Sequence, residues 1–176
     1  ESNSRIEHIS ISDYMLEQRI SDRTIAEFRS KTAQNFHSIN GMNADDIEHD
    51  VKAYVEETLS ESGIDAQVGE AVVYGSRSRG LEKDGSDIDV VIEIDSVLKE
   101  DALFNALNGE EYSIGGIKVD INPIRKEETG SLSSYLTEAE RYLDELSNSR
   151  TAKPVYTGLG AERIDVSAEY AASMWE

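Results

Sequence analysis

The chain has 176 residues, with 36 Asp and Glu against 17 Lys and Arg, a formal net charge of −19 and no Cys. That length suits one ordinary domain, or one compact domain with an appendage. The charge repels phosphate backbones and argues against an extended nucleic acid, and the lack of Cys excludes a disulfide scaffold, a thiolate zinc site and a cysteine nucleophile.

No apolar run approaches the roughly 18 residues of a membrane span, and no basic-then-apolar signal opens the chain, so a cytoplasmic protein is expected. A first residue of Glu instead of Met is what a piece cut from a longer chain would show. The charge is uneven. Residues 41–70 carry one basic and nine acidic residues, whereas residues 1–40 carry five and six. Acidic excess of this kind reads first as solvated helix faces.

Residues 1–10 lack periodicity and are expected to be frayed. Asp22 reads as a cap for a helix over 23–37, with Ile25, Phe28 and Phe36 as a sparse stripe. Asn43 is a good N-cap for a second helix, with Asp45, Asp46 and Glu48 in its first turn. Behind it Ile47, Val51, Tyr54, Val55 and Leu59 recur at helical spacing up to Gly63. The period then changes to that of strands over 66–74 and 88–94. Ile88, Val90 and Ile92 fall on one face of the second strand, and Asp89, Val91 and Glu93 on the other. A short helix is expected over 99–108, then a hairpin of 112–114 and 117–121 about Gly115-Gly116. A last helix over 131–147 carries Leu132, Tyr135, Leu136, Ala139, Tyr142, Leu143 and Leu146. Short strands near 154–157 and 163–166 and a helical turn after Ser167 are expected in the tail, which also holds Trp175. The layout is an α/β (α+β) domain, a small mixed sheet with flanking helices. Its parts are a helical segment over 1–38, the domain proper over 39–148 and a tail over 149–176.

Chemistry concentrates in the run from Val72 to Ile92. A strand enters Gly75-Ser76, where a glycine lets backbone approach a ligand, and Arg77 and Arg79 follow, a plausible polyphosphate cradle. Asp87 and Asp89, two residues apart at a strand start, share one face and suit one hard divalent cation. Asp120, between apolar Val119 and Ile121, joins them if its strand neighbours the 88–94 strand. Three carboxylates beside a triphosphate are what two-metal phosphoryl transfer needs. His8, His37 and His49 share no metal-ligand spacing, and no P-loop motif is present.

At these residues the sequence resembles the DNA polymerase beta-type nucleotidyltransferases, whose signature is Gly-Ser, a gap, Asp-x-Asp opening a strand and a third acid on a later one. Gly75 and Ser76, Asp87 and Asp89, and Asp120 match in order, and Arg79-Gly80 and Ser86 match the small bacterial minimal nucleotidyltransferases. Ile39-Asn40-Gly41-Met42, Val119-Asp120-Ile121-Asn122-Pro123-Ile124, Thr129-Gly130 and Tyr142-Leu143 extend the likeness over residues 38–146. They resemble a nucleotidyltransferase-like module of large polyvalent proteins of bacterial mobile elements.

The resemblance implies that the Gly-Ser turn holds the triphosphate of a nucleoside triphosphate and that the acids hold Mg2+ (or Mn2+). The expected site is then Gly75, Ser76, Arg77, Arg79 and Ser86 for the nucleotide, and Asp87, Asp89 and Asp120 for metal and catalysis. The reaction implied is transfer of a nucleoside monophosphate, AMP in the first instance, to a hydroxyl of a protein or small molecule. Other domains of a longer chain are expected partners. Two other readings stay open: a catalytically idle nucleotide-binding or docking module, and an acidic structural protein or DNA mimic whose acids spread over a broad face.

Overall fold

The structure, a computed structural model, describes residues 2–151. The described residues up to Thr137 form one compact unit, and a second begins at Glu138. The strands and turn expected beyond residue 152, and Trp175, lie outside the described residues.

Helix α1 runs Ser2–Asn35 and includes the segment expected to be frayed. Asp22 is therefore not its cap but an interior residue, its carboxylate accepting from Gln18 Nε2 at 3.1 Å. Two residues of the expected apolar stripe, Ile25 and Phe28, are buried. Helix α2 spans Ala44–Glu61, with Asn43 Oδ1 accepting from Asp46 N–H at 2.9 Å and the Asp46 carboxylate accepting from Asn43 N–H at 3.0 Å. This reciprocal capping box satisfies two donors the helix start would otherwise orphan. At its other end Ile64 N–H reaches back to Leu59 C=O and Gly63 N–H to Ser60 C=O, a Schellman closure.

Strand β1 is Gln67–Tyr74, followed by a single 3-10 turn, Ser76–Arg79. Then come β2 (Ile88–Asp95), α3 (Glu100–Asn108), β3 (Ser113–Ile114), β4 (Ile117–Ile124) and α4 (Leu132–Thr151). The sheet order is β1-β2-β4-β3, with β2 and β4 parallel and the two outer pairings antiparallel. One face carries Ala71, Val73, Ile88, Val90, Ile92, Val119 and Ile121, packed in one apolar cluster with Ile47, Val51 and Val55 of α2 and Leu103 and Leu107 of α3. The opposite face alternates apolar Val72, Val91 and Ile124 with Asp89, Asp120 and Asn122. A mixed sheet with helices before, between and after its strands is the fold class expected.

The outer edge of β1 is covered by side chains. Arg29 Nη2 donates to Ala71 C=O at 2.7 Å, and Val73 N–H donates to the buried Glu48 carboxylate at 2.8 Å. Arg29 Nε and Glu48 pair at 3.1 Å, so one ion pair from two helices satisfies both polarities of an edge strand. Burial pushes the Glu48 carboxyl up to about 7, although Arg29 and the Val73 amide pull the other way.

Because its folded pKa lies above the ordinary carboxylate value, Glu48 contributes stability that is present below about pH 4.5 and lost as pH rises through 7. Glu48→Gln is therefore expected to remove about 1–3 kcal/mol of the decline in stability between pH 5 and 8. Urea unfolding at pH 5, 6, 7 and 8 checks this, and an unchanged slope in the variant would contradict it.

Candidate active site

Strand register brings the acids together. Asp89 on β2 lies directly opposite Asp120 on β4, and on its other side opposite Tyr74 on β1. The condition set on Asp120, that its strand neighbour β2, is met in the sheet. Asp87 stands one residue before β2. Burial raises the Asp89 carboxyl to about 7, the charges of Asp120 and Asp87 add to this, and the guanidinium of Arg77 opposes them. Lys118 Nζ lies 3.7 Å from Asp120 Oδ1.

Among the described residues, no three His, Cys, Asp or Glu side chains stand gathered as a ready-made metal cage. The donor chemistry nonetheless fits a hard divalent ion. Asp89 is a largely buried carboxylate facing two more, with less positive charge than it needs. Convergence of acids on one strand pair also differs from the broad acidic face that a DNA mimic requires.

Gly75 follows β1 at φ 72° and ψ −169°, and a Cβ placed there would run into the Asp89 carboxylate. The turn behind it is locked. Ser78, fully buried, donates its hydroxyl to Gly75 C=O at 2.7 Å, and Leu81 N–H reaches Ser76 C=O at 2.9 Å. Ser76 is half-buried at the head of this turn.

The arginines part company. Arg77 donates from Nε at 3.0 Å and Nη2 at 2.7 Å to Ser86 C=O. Arg79 turns the other way, donating from Nη1 to Thr32 Oγ1 at 2.8 Å and to Ser78 C=O at 3.0 Å, with its guanidinium 4.3 Å above the Phe28 ring. Arg79 is thus engaged with α1, through a contact 47 residues back along the chain. Ser86 spends its hydroxyl inside its own turn, accepting from Lys83 N–H at 3.1 Å.

Beside Asp87 opens a cavity of about 530 Å³ lined by Arg77, Glu82, Lys83, Ser86, Asp87 and Lys118, among others. Next to Asp89 lies a group the motif does not contain. Asn122 Nδ2 donates to Tyr135 Oη at 2.9 Å, and the Tyr135 and Tyr74 rings meet edge to face at 5.4 Å. Burial lifts the Tyr135 phenol to about 12 and the Tyr74 phenol well above its ordinary value, so both hydroxyls stay protonated. Asn122 could have been found by the two-residue period from Asp120; Ser78 and Tyr135 carry no such signal.

No curated protein matches the chain. Residues 51–143, more than half of it, match the family described as the Nucleotidyltransferase domain. That span contains the Gly-Ser turn, the 87–89 acid pair and Asp120, and the chain is a member of the nucleotidyltransferase-domain family.

Proposed function

We propose that the protein is a Mg2+- or Mn2+-dependent nucleotidyltransferase that moves AMP from ATP to a hydroxyl of a protein side chain or small molecule. The observation that carries this reading is the pairing of Asp89 with Asp120 across β2 and β4, directly against the Gly75 turn. Asp87, Asp89 and Asp120 would hold the divalent ions, which supply neutralisation of the phosphate charge when bound. The early N–H groups of the Ser76–Arg79 turn and the Ser76 hydroxyl would receive the β- and γ-phosphates. The acceptor oxygen attacks the α-phosphorus, the bond to the β-phosphate oxygen breaks, pyrophosphate leaves and Asp120 takes the hydroxyl proton. The cavity beside Asp87 has the size of a small-ligand pocket and leaves room for an acceptor. A net charge of −19 argues against a long nucleic acid in that role.

The wider setting is part of the same proposal. The likeness over residues 38–146 supports a bacterial mobile-element protein of several domains, working in the cytoplasm, where nucleoside triphosphates are found. Within the described residues no helix is long and apolar enough to cross a membrane. We keep residues 39–148 as the transferase module and 149–176 as a tail, with 1–38 a helical segment that braces the Gly-Ser turn through Thr32 and Phe28. The alternative is an idle nucleotide-binding or docking module, since a domain of this fold can keep its acids and only bind.

The test uses each of the four nucleoside triphosphates labelled at the α-phosphate, with Mg2+ or Mn2+ and a panel of protein and small-molecule hydroxyl acceptors. Label is expected to enter an acceptor with release of pyrophosphate, and to be lost in Asp87→Asn. Nucleotide binding without label transfer from any of the four would favour the idle module instead.

A further inference from the structure

The loop that delivers Asp87 is held by a residue whose motif position suggests a different job. Residues 83–86 close on themselves, with Ser86 N–H donating to Lys83 C=O and Lys83 N–H to Ser86 Oγ, each at 3.1 Å. The Ser86 carbonyl points out of that turn and receives two donors from one guanidinium, Arg77 Nε and Nη2. Two donors from a planar, rigid fork fix the direction of the peptide as well as its position, which a lysine ammonium does not do. The next residue is Asp87. The one after it, Ile88, is fully buried and opens the parallel ladder with β4 opposite Val119. Asp87 is therefore pinned on one side by Arg77 and on the other by the sheet. Arg77 reaches this place from the 3-10 turn that begins just after Gly75, so the clamp ties the phosphate turn to the acid pair.

We propose that Arg77 is a positioning residue of the metal site, clamping the Ser86–Asp87 peptide so that Asp87 and Asp89 are presented together to a divalent cation, and is not a ligand of the nucleotide phosphates. This rests on the metal-dependent reading above. Its guanidinium also sets a positive charge near Asp89, while Nε and Nη2 both donate to the Ser86 carbonyl. Residues that orient metal ligands typically change metal affinity by about 10–100-fold when replaced.

The experiment measures Mn2+ binding to the nucleotide-free protein by electron paramagnetic resonance, for wild type, Arg77→Lys, Arg77→Gln and the charge control Lys83→Gln. ATP affinity at saturating Mn2+ is measured in parallel, and circular dichroism checks folding. Both Arg77 variants are expected to bind Mn2+ about tenfold more weakly or worse. Lys83→Gln, which removes the same charge from the same cavity without touching the clamp, is expected to bind as wild type does. ATP affinity at saturating metal should shift less than about twofold in every variant. Unchanged Mn2+ binding in the Arg77 variants, with weakened ATP binding, would overturn the proposal and return Arg77 to the phosphates. Equal weakening in Lys83→Gln would reduce the effect to bulk charge and overturn it too. No Mn2+ binding by wild type would instead bring down the metal-dependent reading itself, and the clamp proposal with it.

Discussion

Asp89→Asn is expected to lose nucleotidyl transfer by roughly three orders of magnitude or more, about 4 kcal/mol in the barrier, and at the same time to stabilise the metal-free protein. The two effects share one cause. Asp89 is mostly buried, faces the charges of Asp120 and Asp87, and has its carboxyl raised to about 7. Its folded pKa lies above the ordinary 3.8, so its charge weighs against the fold above pH 7 and the penalty disappears in acid. Replacing it by an amide of the same shape removes that penalty, and a gain of about 1–3 kcal/mol at pH 8 is expected. Mg2+ should raise the Tm of wild type and leave that of the variant nearly unmoved, because only a ligand bound to the native state stabilises it. Thermal melts at pH 5 and pH 8, with and without Mg2+, read both signs. A variant that is less stable than wild type at pH 8 would show Asp89 to be a structural residue.

Gly75→Ala is the second large effect. The residue sits at φ 72° and ψ −169°, a conformation open in practice to glycine alone, and the added methyl would meet the Asp89 carboxylate. Backbone strain of about 1–3 kcal/mol and displacement of Asp89 act together. The expected outcome is a stability loss of roughly 2–4 kcal/mol with transfer reduced more than about a hundredfold. Gly85→Ala separates the two contributions. That glycine has φ 83° but open space where its Cβ would go, so it carries strain without collision. Its loss should be the smaller, in chemical denaturation and in turnover alike. Equal losses at the two positions would mean that the contact with Asp89 does not matter.

Much of this arrangement is written in local patterns. Asn43 announces α2 as an N-cap with acids in the turn that follows, and the structure has that cap, with Asp46 closing a reciprocal box on it. The alternation of Ile88, Val90 and Ile92 with Asp89 fixes which face of β2 is apolar, since a one-residue slip would bury the acid on the core side. Gly115-Gly116 places the hairpin that swings β4 back beside β2. What was hidden depends on distant partners. Arg79 reads from its neighbours as a phosphate ligand, and its contacts with Thr32 and Phe28, made through tertiary packing, leave no mark in that local pattern. Helix α1 begins at Ser2, and a stripe as sparse as the buried Ile25 and Phe28 does not mark a helix start. Ser78 is a single serine in a serine-rich stretch, and only the fold reveals that its hydroxyl fastens Gly75.

The ion pair of Arg29 and Glu48 along β1 bears on how this protein can be cut. Both residues lie upstream of the 51–143 family match, so a fragment trimmed to that match loses each of them. The apolar strand Ala71–Tyr74 would then offer its free carbonyls and amides to whatever chain came next, most readily another copy of the same fragment. The Arg29–Glu48 pair is, in this sense, a stopper: with it the sheet ends at four strands, and without it the sheet has somewhere to grow.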